Sequence, residues 1–539
     1  MTPQTPLVGT LSVVLHHHLP FVRHPEYPFF LEERWLFEAI HETYLPLIEC
    51  WRALERDGVA FAMTVTMTPP LANMLADAHL MEKFGRHLTS LRALAAREVD
   101  RTRHDAVFQR VARFYQVRFD RLSALFHDTL KGDILGEYRR LQDAGFLEIV
   151  TCTATHGFLP LMNGDESAMR AQVEVAARDY ERFFGRSPPG IWLAECGYLP
   201  GCDRLLAEQG IRYFFVDSHA VLQAEAPAVY GVYAPLACSE TGVAAFARDP
   251  ESSKQVWSSK EGYPGDVNYR EYYRDLGFDL PMEQIAPWIH PDGIRLNTGF
   301  KYYRITGDVG LGGKSPWDPE AAQRKAQEHA ANFMFNRQGQ LRHVRGQIDR
   351  VPNVVSPYDA ELFGHWWFEG PWFLEALARA IHNDQNEIAL STPSRVLEAE
   401  PTLQAATPSL SSWGDGGYAA FWCNDKNDWI YPHLHHAAAR MHLLAQRHGE
   451  ATGVEGRALA QAGRELLLAQ SSDWAFIMRT GTTVEYAVRR TRDHLQAFAR
   501  LDQALEGHTP KDAAFVEFLE GRERQWNLFP SLDARVWAR

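Results

Sequence analysis

Residues 190–198 read Gly190-Ile191-Trp192-Leu193-Ala194-Glu195-Cys196-Gly197-Tyr198, and this stretch decides the fold. Gly190–Ala194 is apolar throughout and reads as a short strand, and an acid follows at once. A carboxylate between apolar neighbours costs free energy unless it is hydrogen-bonded or put to use. Working outward, the same arrangement recurs. Leu11–Leu15 runs into His16 and His18, which share one face at period two. Leu147–Cys152 is followed by His156, Arg212–Val216 by Asp217 and His219, and Val351–Val355 by Asp359, while Ala60–Thr66 reads as a further strand. Helical patterns lie between several of these runs, at Trp35–Arg56, Ser167–Phe184 and Gly201–Gln209. Strand–helix alternation predicts a parallel sheet or barrel, and a parallel barrel carries its chemistry at the C-terminal strand ends. At least five strand ends thus bring an acid or an imidazole to one rim.

Two regions break this rhythm. Met81 to Lys131 is charged and helix-forming, with Leu, Val and Phe at helical spacing, and reads as a helical insertion. After Pro401 come three amphipathic helices, Asp428–Gln446, Glu455–Ser471 and Arg489–Leu505, with Asp428, Glu455 and Thr491 as first-turn or cap residues. The expected domains are therefore 1–80 with 132–400, an insertion over 81–131, and a helical domain over 401–539. Ser239–Asp266 has no strong period and reads as a long loop.

With 539 residues the chain exceeds the roughly 250–300 that one core supports, so more than one domain is expected. A formal charge of −13, from 55 Lys+Arg against 68 Asp+Glu, disfavours nucleic acid as a partner. The six cysteines form no C-x-x-C pair, which fits reduced thiols in a cytoplasm. Thr10–Leu15 is too short for a signal segment, and no stretch reaches the roughly 20 apolar residues of a membrane span, so no membrane partner is expected. The 15 Trp are suggestive, because the flat apolar face of a sugar packs on a flat ring.

Each polar residue has a bland reading as well. A histidine after a strand can staple a loop, Glu195 can be half of a buried ion pair, and Trp413 and Trp422 can be packing residues. Residues 356–371 are harder to explain so: Asp359, Glu361, Glu369, His365 and the adjacent Trp366 and Trp367 fall in one short segment. Glu361 and Glu369 read as supporting carboxylates. Two acids of unlike environment are what retaining glycosyl transfer needs, one as nucleophile and one as acid then base, about 5–5.5 Å apart.

Five segments together resemble the family 57 glycoside hydrolases, over nearly the whole chain. They are His16-His17-His18-Leu19-Pro20, Thr155–Pro160, Trp192–Tyr198, Tyr358–Trp367, and the region of Trp413, Trp422 and Ser472-Asp473-Trp474. The resemblance implies an α/β fold, a distorted TIM-like (β/α)7 barrel with a helical insertion and a C-terminal all-helical domain. It implies Glu195 as nucleophile and Asp359 as general acid/base. It implies that His16, His18, His156 and His219 bind sugar hydroxyls, that Trp366, Trp413 and Trp422 wall a glucan groove, and that Asp473 reaches the site. Within the family the segments are similar to those of the branching enzymes, which implies cleavage of α-1,4 and formation of α-1,6 linkages on amylose or a glycogen-like glucan, with no metal or organic cofactor. Branching members are expected to close a tyrosine-bearing loop over the site; here 239–262 offers Phe246 and Trp257 but no tyrosine, and Tyr263 follows directly. The alternatives are an α-amylase or 4-α-glucanotransferase on the same scaffold, or a metal-dependent polysaccharide deacetylase using His16, His18 and an Asp.

Overall fold

The computed structural model describes residues 7–258 and 261–539. Ten strands form one sheet: β1 (Gly9–His17), β2 (Met63–Met67), β3 (Leu147–Cys152), β4 (Gly190–Trp192), β5 (Tyr213–Val216), β6 (Leu236–Ala237), β7 (Ala244–Ala247), β8 (Asn353–Asp359), β9 (Ile388–Leu390) and β10 (Gln404–Ala405). Their order is β10-β6-β7-β5-β4-β3-β2-β1-β8, with β9 also on β1. Every pairing is parallel except that of β6 with β7. The parallel run from β7 round to β8 holds seven strands, as the (β/α)7 reading requires, and β6, β9 and β10 are short additions. The seam between β7 and β8 is bridged by Asp249 N–H donating to Val355 O at 2.9 Å and by Ser356 Oγ on Ser252 Oγ at 2.7 Å.

Period two explains the layering. Val13 and Leu15 of β1 pack outward on the helices, whereas Val14 faces inward with Cys152, Trp192, Phe215, Phe246 and Val355. His16 continues the inward row above Val14 and stacks on Trp192 at 4.7 Å. The barrel is thus filled by side chains, with a buried Ser12–Asn353 hydrogen bond toward its N-terminal end, an apolar layer around Val14 and Trp192, and a polar C-terminal rim.

Several boundaries moved. β8 runs on from Val355 through Ser356 and Pro357 to Asp359, because Pro357 sits in register opposite Val14 and the inward face stays buried. Ser239–Asp266 is not a long loop: it holds β7, paired to β5, and the helix Pro250–Trp257, capped by the Asp249 carboxylate accepting from Ser252 N at 2.7 Å. Residues 259–260 of that stretch lie outside the described residues. The segment 81–131 contains the helices Ala78–Arg101 and Ala106–Ala124, each started by an aspartate cap. Trp35–Arg56 is helical but widens into a π-turn at Ile40–Tyr44 before the helix Leu45–Arg56. The C-terminal region holds Ile430–His448, Gly453–Ala469 and Val484–Leu505, and also Ser472–Thr480 and Ala513–Gln525. Glu455 is in a first turn, but Thr491 is no cap; it is buried mid-helix and its hydroxyl donates to Ala487 O at 3.0 Å. The six cysteines are free thiols, and no helix among the described residues is long and apolar enough to cross a membrane.

Gly364 shows how closely this frame is packed. At φ +117°, a Cβ there would lie 1.9 Å from the Glu42 carbonyl oxygen. Gly364→Ala should therefore lower the stability by at least about 2 kcal/mol, seen as a lower guanidinium midpoint, since strain and clash add. An unchanged midpoint would mean that the Glu42–Gly364 contact is looser than described.

Candidate active site

The cleft at the rim has about 450 Å³ of space, lined on the barrel side by His16, His18, His156, Glu195, Arg248 and Asp359. His16 and Asp359 are register partners on β1 and β8, so their side chains are neighbours by construction. Glu195 is not on β4 itself. The strand ends at Trp192, and a tight turn follows in which Glu195 (φ +61°) and Cys196 (φ +51°) are left-handed. His156 is left-handed too, at φ +59°. Such conformations in non-glycine residues are strained and persist only where the surroundings hold them.

What holds Glu195 comes from far along the chain. Trp413 Nε1 donates to one carboxylate oxygen at 2.7 Å and Ser472 Oγ to the other at 2.9 Å. Trp413 N–H also donates to the Glu195 carbonyl at 2.8 Å. Burial pushes the Glu195 carboxyl up to about 7, against the pull of these two donors. Asp359 is also raised, well above its ordinary value, by burial and then by the charges of Glu361 and Glu195, with Arg248 opposing. Burial thus raises both carboxyls, and Glu195 has hydrogen-bond donors on both oxygens to favour its anion, an unlike environment of the kind that acid-assisted glycosyl transfer uses.

The histidines form a directional chain. Because a carboxylate only accepts, Ser472 Oγ gives its proton to Glu195 and must accept one from His156 Nδ1, 2.7 Å away. Burial holds His156 well below its usual range, so it is neutral and its Nε2 accepts from His16 Nε2 at 3.0 Å. That leaves His16 Nδ1 bare, without a partner among the described residues. His18 differs: burial would lower it, but the Asp473 carboxylate, with both oxygens at 3.0–3.1 Å, raises it, and His18 holds Asp473 down at about 2. His18 and Asp473 form an ion pair beside two neutral imidazoles.

Of the other expected residues, Trp366, Trp413 and Trp422 all line the cleft, but not alike. Trp366 is 52% exposed at the mouth and stacks on Tyr272 at 4.3 Å. Trp422 is buried and stacks on Phe158 at 5.1 Å, so it serves packing as well as the wall. His219 does not line the cleft; its Nε2 is bonded to the Gly417 carbonyl at 2.9 Å, where it props the Trp413 loop. Ser472 and Arg248 were missed. Arg248 follows β7 and would have been found by the strand-end rule had β7 been read as a strand. Glu361, expected as a supporting acid, lines the cleft, accepts from Tyr44 Oη at 2.5 Å and is pushed up to about 7 by burial. His18, His156 and Asp473 offer ligand atoms within 4.8 Å of one another, which would suit a cation, although His18 and Asp473 already satisfy each other.

Residues 12–407 match the family model described as glycosyl hydrolase family 57. The chain belongs to that family. Residues 433–537 match a second model, the C-terminal region of 1,4-alpha-glucan branching enzymes. A 1,4-alpha-glucan branching enzyme of Thermococcus kodakarensis is 36% identical, over 97% of this chain and 77% of its own. Among solved structures, the alpha-amylase AmyC of Thermotoga maritima is 44% identical with a TM-score of 0.91, over 98% of this chain and 99% of its own. A family 57 branching enzyme of Pyrococcus horikoshii is 33% identical with a TM-score of 0.89, over 99% of this chain and 97% of its own. The family 57 barrel is thus the fold of this chain, C-terminal helices included.

The donors on Glu195 make a test. Any step that uses its carboxylate fades as pH falls through its pKa, and losing a donor raises that pKa. In Ser472→Ala or Trp413→Phe, the acidic limb of the kcat/KM profile should move up by about one pH unit, since a charge-assisted bond contributes about 1.5–3 kcal/mol and one unit is 1.36. A limb that stays put would show that these donors do not set the ionisation.

Proposed function

We propose that this protein is a retaining 1,4-α-glucan branching enzyme. Glu195 attacks the anomeric carbon of an α-1,4 link while Asp359 protonates the departing oxygen. Asp359 then takes the proton of an incoming sugar 6-hydroxyl, which displaces Glu195 and leaves an α-1,6 branch. The observation that supports this reading is the pair of buried carboxyls, Glu195 and Asp359, both raised by burial, in one cleft walled by Trp366, Trp413 and Trp422. The match of residues 433–537 and the branching relatives favour transfer over hydrolysis. His16 and His156, bonded to each other and through Ser472 to Glu195, and His18 on Asp473 line the cleft and hold the carboxylate's partners in place; His219 acts one layer back, through Gly417. The substrate is an α-glucan such as amylose or a glycogen-like polymer.

The likeness to AmyC supports a second reading, an α-amylase on the same scaffold. Trp257 bears on the choice. It ends the helix Pro250–Trp257, lines the cleft, and meets Trp413 edge-on at 6.3 Å. Phe246 is buried in the barrel and Tyr263 bonds Asn332 and does not line the cleft, so Trp257 is the aromatic that stretch brings to the site. We assign it the task of keeping water from the glycosyl-enzyme.

Proton NMR of amylose after incubation should show new α-1,6 signals with few new reducing ends, both absent with Glu195→Gln. Many reducing ends and no α-1,6 signal would make the protein an amylase. Trp257→Ala should raise the ratio of hydrolysis to branching severalfold at similar total turnover; an unchanged ratio refutes the water-excluding role. Activity should survive EDTA, and its loss with recovery on adding a divalent metal would favour a metal reaction at His18, His156 and Asp473.

A further inference from the structure

The helices Leu45–Arg56, Ala106–Ala124 and Gly370–Asn383 frame a second pocket, of about 520 Å³, that shares no lining residue with the cleft. Its wall carries Arg52, Arg56, Arg118 and Arg121 beside Phe368 and Trp372. Three of these arginines have their own carboxylates: Arg52 pairs with Glu137 at 2.8 Å, Arg56 with Asp57 at 2.9 Å and Arg121 with Glu49 at 2.6 Å.

Arg118 does not. It is 5% exposed, and no carboxylate among the described residues is within 4.0 Å of it. Its Nη2 donates to the His41 carbonyl at 3.3 Å, in the π-turn, and its guanidinium lies 4.5 Å from the Phe368 ring centre. Among the described residues Nε and Nη1 have no hydrogen-bond partner, and Arg118 lines the pocket. The charges around it do not settle it. Glu49, the acid facing it from the neighbouring helix, is held by Arg121, and Arg270 lies on the same Phe368 ring at 4.1 Å. Burial draws Arg118 down to about 10, which still leaves it charged at neutral pH. A buried guanidinium without a counter-charge is unfavourable on its own, and an incoming anion relieves that.

We propose that this pocket binds a phosphate group, free or carried on a sugar, with Arg118 at its floor and Arg52 and Arg121 at its rim. The planar fork of donors on arginine matches the oxygens of a phosphate two at a time. The volume suits a small ligand, and Phe368 and Trp372 offer an apolar wall to a sugar ring.

Isothermal titration calorimetry of the full chain, at fixed ionic strength, tests this with inorganic phosphate and with glucose 6-phosphate. At least one probe should bind saturably. Arg118→Gln should weaken that binding at least tenfold, and Arg52→Gln or Arg121→Gln severalfold. Tighter binding of glucose 6-phosphate would assign the pocket to a phosphorylated sugar, and equal binding to phosphate itself. If Arg118→Gln fails to fold, the two rim variants decide the matter. No saturable binding of either probe, or binding that all the variants retain, overturns the proposal.

Discussion

The pair of hydrogen bonds on Glu195 is the interaction on which the site depends. A carboxyl this deeply buried would stay protonated, and only donors aimed at both oxygens keep its anion within reach. Neither donor belongs to the barrel. Trp413 docks through its backbone on the Glu195 turn, beside an antiparallel bridge between Ser411 and Tyr198, and Ser472 docks through its N–H on the His156 carbonyl at 3.0 Å. Main-chain bonds thus place the donors, and the side chains only complete the geometry. This explains why two of the strand-end turns are left-handed: the strain at His156 and Glu195 is held in place by segments seated on them.

The barrel contributes the opposite property, a dry and rigid floor. Its inward rows end in Trp192, on which His16 lies flat, and the two neutral imidazoles above it are kept neutral by that same burial. Besides Glu195, ionised groups gather at the His18–Asp473 pair on one side and at the Arg248–Asp217 pair near Asp359 on the other.

Much of this was legible in the sequence, and for a definite reason. A strand buried on both faces writes itself as an apolar run, so β1, β3, β4 and β5 and the polar residues after them could be read directly. The rest was hidden where tertiary contacts overrule local pattern. β8 continues through Ser356 and Pro357 only because β1 lies alongside. β7 is four residues long and drawn out by its partner β5, so its rim residue Arg248 went unseen. Ser472 stood in a segment that carried the resemblance, beside Asp473, but nothing marked it as a partner of Glu195. Its role depends on a turn some three hundred residues earlier, and no local signal carries that. The specific assignments to Glu195, Asp359 and Asp473 came from resemblance, since spacing alone left them open.

The distance along the chain between Glu195 and its donors has a consequence for synthesis. Trp413 and Ser472 lie 218 and 277 residues downstream. At about 5–20 residues per second, a ribosome leaves the barrel turn without its second donor for some tens of seconds. During that time a nascent chain can close most of its barrel while the Glu195 carboxyl still lacks the donors that favour its anion. The acidity of that group is therefore set late in synthesis, when the helix that begins at Ser472 seats on the barrel turn.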